Sequence, residues 1–231
     1  MSTVPNLLND DGTASIATAF MMSHHGFRRD LARFASALEN IASGNRSNVE
    51  ALREEWKNFH MTLHGHHEAE DNGVFPSIAG QHESVRATIE ALTADHRRID
   101  PLLERGNTAF EDLPRTDAAL AIVRELKELL ERHLALEERE LIPFLRDAKT
   151  FPPPPNDEAV MQYAEGFAWS MQGIAPDVLE QVYAMLPESL RLRIPAACAA
   201  FEVRCERVWG SAKAGTTRTP IPAPSDDVEG T

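Results

Sequence analysis

A histidine and a glutamate four residues apart, His66 and Glu70, stand in a stretch that reads H-H-E-A-E-D-N-G-V-F-P over 66–76. On a helix this spacing puts both side chains on one face, one turn apart. The same face carries Leu63, Phe59 and Leu52, so the imidazole and the carboxylate continue an apolar stripe. Sent into a core without partners, both groups lose their hydration at considerable cost. Coordinating a metal ion satisfies both at once.

The arrangement occurs twice. His133 and Glu137 repeat the spacing, with Leu130 and Leu126 at the offsets that Leu63 and Phe59 hold in the first copy. Pro76 recurs as Pro143, each six residues after its glutamate. A single histidine precedes each copy: His24 is followed by Phe27 and Leu31, and His96 by Ile99 and Leu103, at equal offsets. The chain thus reads as two copies of a helix bearing His followed by a helix bearing His-x-x-x-Glu. The candidate metal ligands are His24, His66, Glu70, His96, His133 and Glu137. The alternative, surface motifs that repeat by accident, is disfavoured by the matching apolar neighbours. Helical phase favours His24 over His25 and leaves His25 on the flank. His60, His64, His67 and Asp71 form a second stripe, rotated by about 100°. It reads as a solvated or inter-helix face rather than a second metal site or a proton relay. Glu68 is a candidate hydrogen-bond acceptor for a ligand histidine, and His82 falls in a loop without a role.

Four neutral imidazoles and two carboxylates suit borderline divalent metals, iron best of all. They exceed what one tetrahedral zinc uses. Split as His24, His66 and Glu70 against His96, His133 and Glu137, they give each of two metals three ligands. Alternatively each glutamate bridges the pair, with oxygen from solvent completing it. Open positions then receive dioxygen, peroxide or another small ligand. The Glu-x-x-His of ferritin-like bundles is absent. So is the His-Glu-x-x-His of zinc proteases, since Asp71 stands where its second histidine would.

Presenting these groups takes four long helices, expected at 13–42, 47–71, 83–108 and 117–148. The first has the stripe Phe20, His24, Phe27, Leu31, Phe34, Leu38 and Ile41. The second is expected to break at Asn72-Gly73 and Pro76, with a short turn through 77–81. The third carries Val85, Ile89, Leu92, His96, Ile99 and Leu103 inward, with a kink at Pro101. The fourth turns Leu126, Leu130, His133, Glu137 and Phe144 inward. Short loops between long amphipathic helices predict an all-α, up-down-up-down four-helix bundle over 13–148. If the first and third helices run one way and the others oppositely, all six groups lie at one level. Residues 149–156, with Pro152 to Pro155, form a stiff linker. A helical extension over 157–210, with segments at about 157–172, 176–186 and 188–209, is expected to pack on the bundle. An alternative is a lid over the site, made by Met161, Tyr163, Phe167, Trp169 or Met171. Residues 1–12 read as loose and 211–231 as a disordered tail.

A net charge of −13 over 231 residues argues against nucleic acid or an anionic membrane as partner. It suits a site that attracts cations. The two cysteines, Cys198 and Cys205, lie two turns apart on one helix, too far to pair, and read as small hydrophobes. Neither a signal peptide nor an apolar run long enough to span a bilayer is evident, so the expected location is the cytoplasm.

Residues 13–148 resemble the hemerythrin-like (HHE) family. The resemblance rests on the lone His24, the His66/Glu70 pair, His96 and the His133/Glu137 pair, and covers about three-fifths of the chain. It implies a four-helix bundle holding two iron ions, a non-heme diiron centre with an oxo or hydroxo bridge, ligated by those six residues. It also implies a small diatomic or peroxide ligand; no protein partner is indicated. The sequence departs from the oxygen-carrying hemerythrins in two ways. Their second histidine on the third helix is replaced by Leu92, and their fourth-helix motif ends in Asp at wider spacing where Glu137 stands here. The missing imidazole weakens a reversible oxygen-carrier reading. It favours sensing or redox turnover, such as peroxide removal by a peroxidase- or catalase-like activity. The alternative is non-enzymatic binding, sensing or storage of oxygen, nitric oxide or iron.

Overall fold

The computed structural model describes residues 6–45 and 48–210, and within them the chain is all-helical with no strand. The four long helices of the bundle are α1 (Ile16–Ala42), α2 (Val49–Ala69), α4 (Arg86–Glu111) and α5 (Asp117–Glu140). Shorter pieces come after α2 and α5: a π turn (Glu70–Val74) with α3 (Phe75–Gln81), and a 3-10 turn (Ile142–Leu145). The C-terminal helices are α6 (Asp157–Met171), α7 (Pro176–Met185) and α8 (Glu188–Trp209). None of the described helices is long and apolar enough to cross a membrane. The tail expected over 211–231 lies outside the described residues.

Two compact units divide the described residues, one of 6–26 and 135–199, the other of 27–45, 48–134 and 200–210. In the second unit the predicted stripes are the core. Phe27, Leu31, Phe34 and Leu38 of α1 are buried, as are Leu52, Trp56, Phe59 and Leu63 of α2. Leu92, Ile99, Leu103 and Phe110 come from α4, and Leu126 and Leu130 from α5. Aromatic rings concentrate around Phe34, whose centroid lies 5.4 Å from Trp56, 5.7 Å from Phe59, 5.5 Å from Phe110 and 5.2 Å from Trp209. Trp56 stacks on Phe110 at 4.4 Å. That stack needs Gly106, where a Cβ would stand 2.0 Å from the Trp56 ring. The end of α8 joins this unit through Trp209 and through Arg204, which pairs with the buried Glu55 at 3.2 Å.

The other unit buries Ala14 and Met22 of the N-terminal part against Val160, Ala164, Phe167 and Met171 of α6 and Val178, Val182 and Met185 of α7. Leu190 and Ile194 of α8 complete this core. Trp169 lies against α1 at Gly26, where a Cβ would stand 2.6 Å from the indole. The extension therefore enlarges a core. Of the five residues suggested for a lid, Met161 and Tyr163 are exposed, and Phe167 and Met171 are core. Residues 6–12 are not loose. Asn9 Nδ2 donates to the Arg146 carbonyl at 2.9 Å, and Thr18 Oγ1 donates to the Leu7 carbonyl at 2.7 Å.

Three expectations for helix ends need correction. The chain does not leave its helical path at Asn72-Gly73 but widens into the π turn and continues as α3. Pro76 falls in the first turn of α3, where no backbone donor is required of it. The helix expected to reach 148 ends at Glu140, and the tighter 3-10 turn changes the phase of the residues beyond it. Leu141 and Ile142 are buried there, and Phe144, expected inward, is 38% exposed. α4 continues through Pro101 as one helix. Cys198 and Cys205 form no disulfide with each other.

Gly106→Ala must displace the Trp56 ring and should cost about 1–3 kcal/mol in a denaturation titration. Gly65→Ala, a helical position with open space around the added carbon, should instead stabilise by about 0.5–1 kcal/mol. Equal effects at the two sites would contradict the packing described.

Candidate metal centre

In the second unit α2 delivers His66 and His67, and Glu70 opens the π turn at its end; α4 supplies His96 and α5 His133. Glu70 is fully buried. Its Oε1 lies 2.9 Å from His66 Nε2, and its Oε2 lies 3.4 Å from His96 Nε2. His96 Nε2 also stands 3.3 Å from His133 Nε2. His67 stacks on His96, with ring centroids 4.0 Å apart and planes 12° from parallel. One potential ligand atom from each of His67, Glu70, His96 and His133 lies within 4.8 Å of all the others. Phe27 packs on His66 at 5.2 Å and Phe75 on His96 at 5.7 Å, closing the cluster with apolar rings.

The first unit holds a matching pair. His24 Nε2 lies 3.4 Å from Glu137 Oε2, and His24 Nδ1 lies 2.9 Å from Glu138 Oε1. The same pattern surrounds His96, whose Nδ1 stands 3.0 Å from Asp71 Oδ2. Thr93 Oγ1 in turn donates to Asp71 Oδ1 at 3.2 Å. In both units, then, a glutamate addresses Nε2 of a histidine and the acid one residue later takes Nδ1. This is how ligand histidines are commonly held: a carboxylate on one nitrogen fixes the tautomer and presents the other nitrogen's lone pair.

The electrostatics agree. Burial by itself lowers the pKa of His24, but Glu137 and Glu138 outweigh it and push it up to about 9. His96 is likewise raised against its burial by Glu70 and Asp71. Both places favour positive charge. His67 goes the other way: burial, then the imidazoles of His96, His66 and His133, hold it well below the usual histidine range. A neutral imidazole keeps a lone pair to offer.

The six sequence-derived candidates fall into two groups: His66, Glu70, His96 and His133 come together in one unit, and His24 pairs with Glu137 in the other. Of the two adjacent histidines on α1, His24 is the one that meets Glu137 and Glu138. His25 is buried elsewhere, beside Gly173. Glu68 does not serve a ligand histidine; it is exposed and lies 3.7 Å from His64. That role belongs to Asp71 and Glu138, which the sequence reading missed. The signal was an acid directly after each repeated glutamate. His67, assigned to a solvated or inter-helix face, is buried in the cluster. It stands four residues after Leu63, a same-face spacing that widens the stripe.

The sequence pattern of the hemerythrin HHE cation-binding domain matches residues 15–145. The chain belongs to that family. No curated protein and no solved structure matched it. The hemerythrin match covers all six candidates and both acids on the Nδ1 atoms, and the buried His/Glu cluster is the part of the domain able to hold a cation. In this hemerythrin domain Asp71→Asn and Glu138→Gln should each weaken metal binding about 10–100-fold. Helix content by circular dichroism should be unchanged, and competition with a chelating indicator measures the affinity. Wild-type affinity in both variants would deny the two acids an orienting role.

Proposed function

We propose that the protein is a non-heme diiron protein that binds dioxygen or peroxide and turns over peroxide. Its ligands are His24, His66, Glu70, His96, His133 and Glu137. Residues 13–148 form the metal-binding domain, 149–156 a linker and 157–210 a stabilising extension. The observation that carries the reading is the disposition of Glu70, whose two oxygens face different imidazoles at 2.9 and 3.4 Å. A carboxylate so placed is suited to bridging two ions rather than chelating one. Imidazole and carboxylate donors without a thiolate favour iron over zinc. The sequence repeat extends the argument to His24 and Glu137, paired at the same 3.4 Å as His96 and Glu70.

When bound, iron supplies Lewis acidity and electrons to a small oxygen ligand. The protein's part is to hold and shield. Asp71 and Glu138 keep a proton on Nδ1 of His96 and His24, so that Nε2 stays available. Phe27, Phe75, Leu63 and Leu92 keep bulk water from the buried donors.

Iron content and the near-ultraviolet spectrum of the air-exposed protein test the reading, followed by a peroxide-consumption assay. Two irons per chain, a charge-transfer absorption and catalytic loss of peroxide are expected, and His133→Ala should remove the absorption and the turnover. Stripping the metal should lower Tm by about 5–10 °C, because an ion bound only by the folded state adds its binding energy to stability. Zinc alone, or no metal after iron reconstitution, would sink the proposal. Two irons with reversible spectral changes but no turnover would assign the non-enzymatic role, binding or sensing of oxygen or nitric oxide.

A further inference from the structure

His67 is 2% exposed, and neither of its ring nitrogens has a hydrogen-bond partner. A buried imidazole in that condition has lost its water without replacement, a cost that folded proteins seldom leave uncompensated. The groups gathered with it are Glu70, His96 and His133, each able to offer an atom to a metal ion. The ring lies parallel to His96 at 4.0 Å and 5.6 Å from His133. Its Nδ1 lies 3.7 Å from Asp100 Oδ1.

We propose that His67 is itself a metal ligand, the third imidazole on the ion held by His96 and His133. The proposal rests on the diiron reading and adds a ligand to it. Two nitrogens bound about 2.1 Å from one ion stand about 3 Å apart when their bonds are at right angles. The Nε2 atoms of His96 and His133, 3.3 Å apart, already meet that condition. His67 stacks on the first of them, and one of its ligand atoms lies within 4.8 Å of the other donors of the group. Asp100 Oδ1 stands 3.7 Å from Nδ1 of His67, beyond the hydrogen-bond distance at which Asp71 holds Nδ1 of His96, so both nitrogens of His67 remain unengaged. Consecutive residues on a helix point about 100° apart. His66 and His67 can therefore serve different ions, with the two oxygens of Glu70 between them. The ion held by His96 and His133 would then have three imidazoles against the two, His24 and His66, left for its neighbour, so the pair is unequal. The imidazole absent at Leu92 on α4 is supplied from α2.

The test uses the full-length protein reconstituted anaerobically with ferrous iron. Iron per chain and affinity are measured for the wild type, His67→Ala, His67→Gln and the exposed control Glu68→Ala. Iron X-ray absorption counts the imidazoles. The expected result is two irons in the wild type and in Glu68→Ala. Each His67 variant should bind one of the two irons at least tenfold more weakly and lose imidazole scattering, and added imidazole should restore binding to His67→Ala. Two irons at wild-type affinity, with unchanged scattering in a folded His67 variant, would overturn the proposal and leave the diiron reading standing. If the wild type takes up no iron, both fall. Should neither variant fold, the wild-type spectrum decides. A fifth imidazole per iron pair, beyond His24, His66, His96 and His133, supports His67 as a ligand, and four overturn it.

Discussion

Everything near the centre of this protein stems from burying a carboxylate. Glu70 has no exposed surface, and an isolated carboxylate in such a place would take up a proton or unfold its surroundings. It is kept there by nitrogen atoms on both sides. Those nitrogens come from two positions, α2 itself and α4, and His133 of α5 closes on His96. One buried charge thereby ties three helices of the second unit together. The aromatic packing around Phe34 is the apolar counterpart farther along the same helices, and α2 and α4 take part in both.

Holding a charge in this way sets the protonation of the neighbours. His96 and His24 are drawn toward their charged forms by paired acids, whereas His67, surrounded by imidazoles, is held neutral. A site with both tendencies side by side is suited to a cation. The acids attract it, and the neutral ring can donate electrons to it.

Much of this was legible in the sequence because the ligands repeat. His24 and His96, and His66/Glu70 and His133/Glu137, stand among apolar residues at matching offsets. Helical periodicity needs nothing else to place them inward. The missed residues are those whose position depends on what a helix meets. Asp71 and Glu138 look like ordinary surface acids until α4 and α1 bring a histidine to them. His67 lies at the edge of the stripe, where burial depends on which rings lie alongside, and periodicity cannot decide that. Phe144 failed for the opposite reason: the pattern was extrapolated across a helix end that the sequence marks only with Pro143. The π turn had no signal of its own. Asn72-Gly73 is ordinarily a stop, and only the continuation into α3 shows that here it is not.

That turn bears on how this protein can change over evolutionary time. A π turn holds one residue more than an α turn needs. Deleting any one residue between Glu70 and Phe75 would let α2 run straight into α3 with ordinary winding. Residues downstream would keep nearly the same rotation about the axis, because the extra residue is taken up inside the turn, and Phe75 would stay on the face of His96. Surface segments as a rule absorb insertions and deletions readily. This one lies inside a continuous helical path and can still give up a residue, because the one it would lose is the one an ordinary turn leaves out.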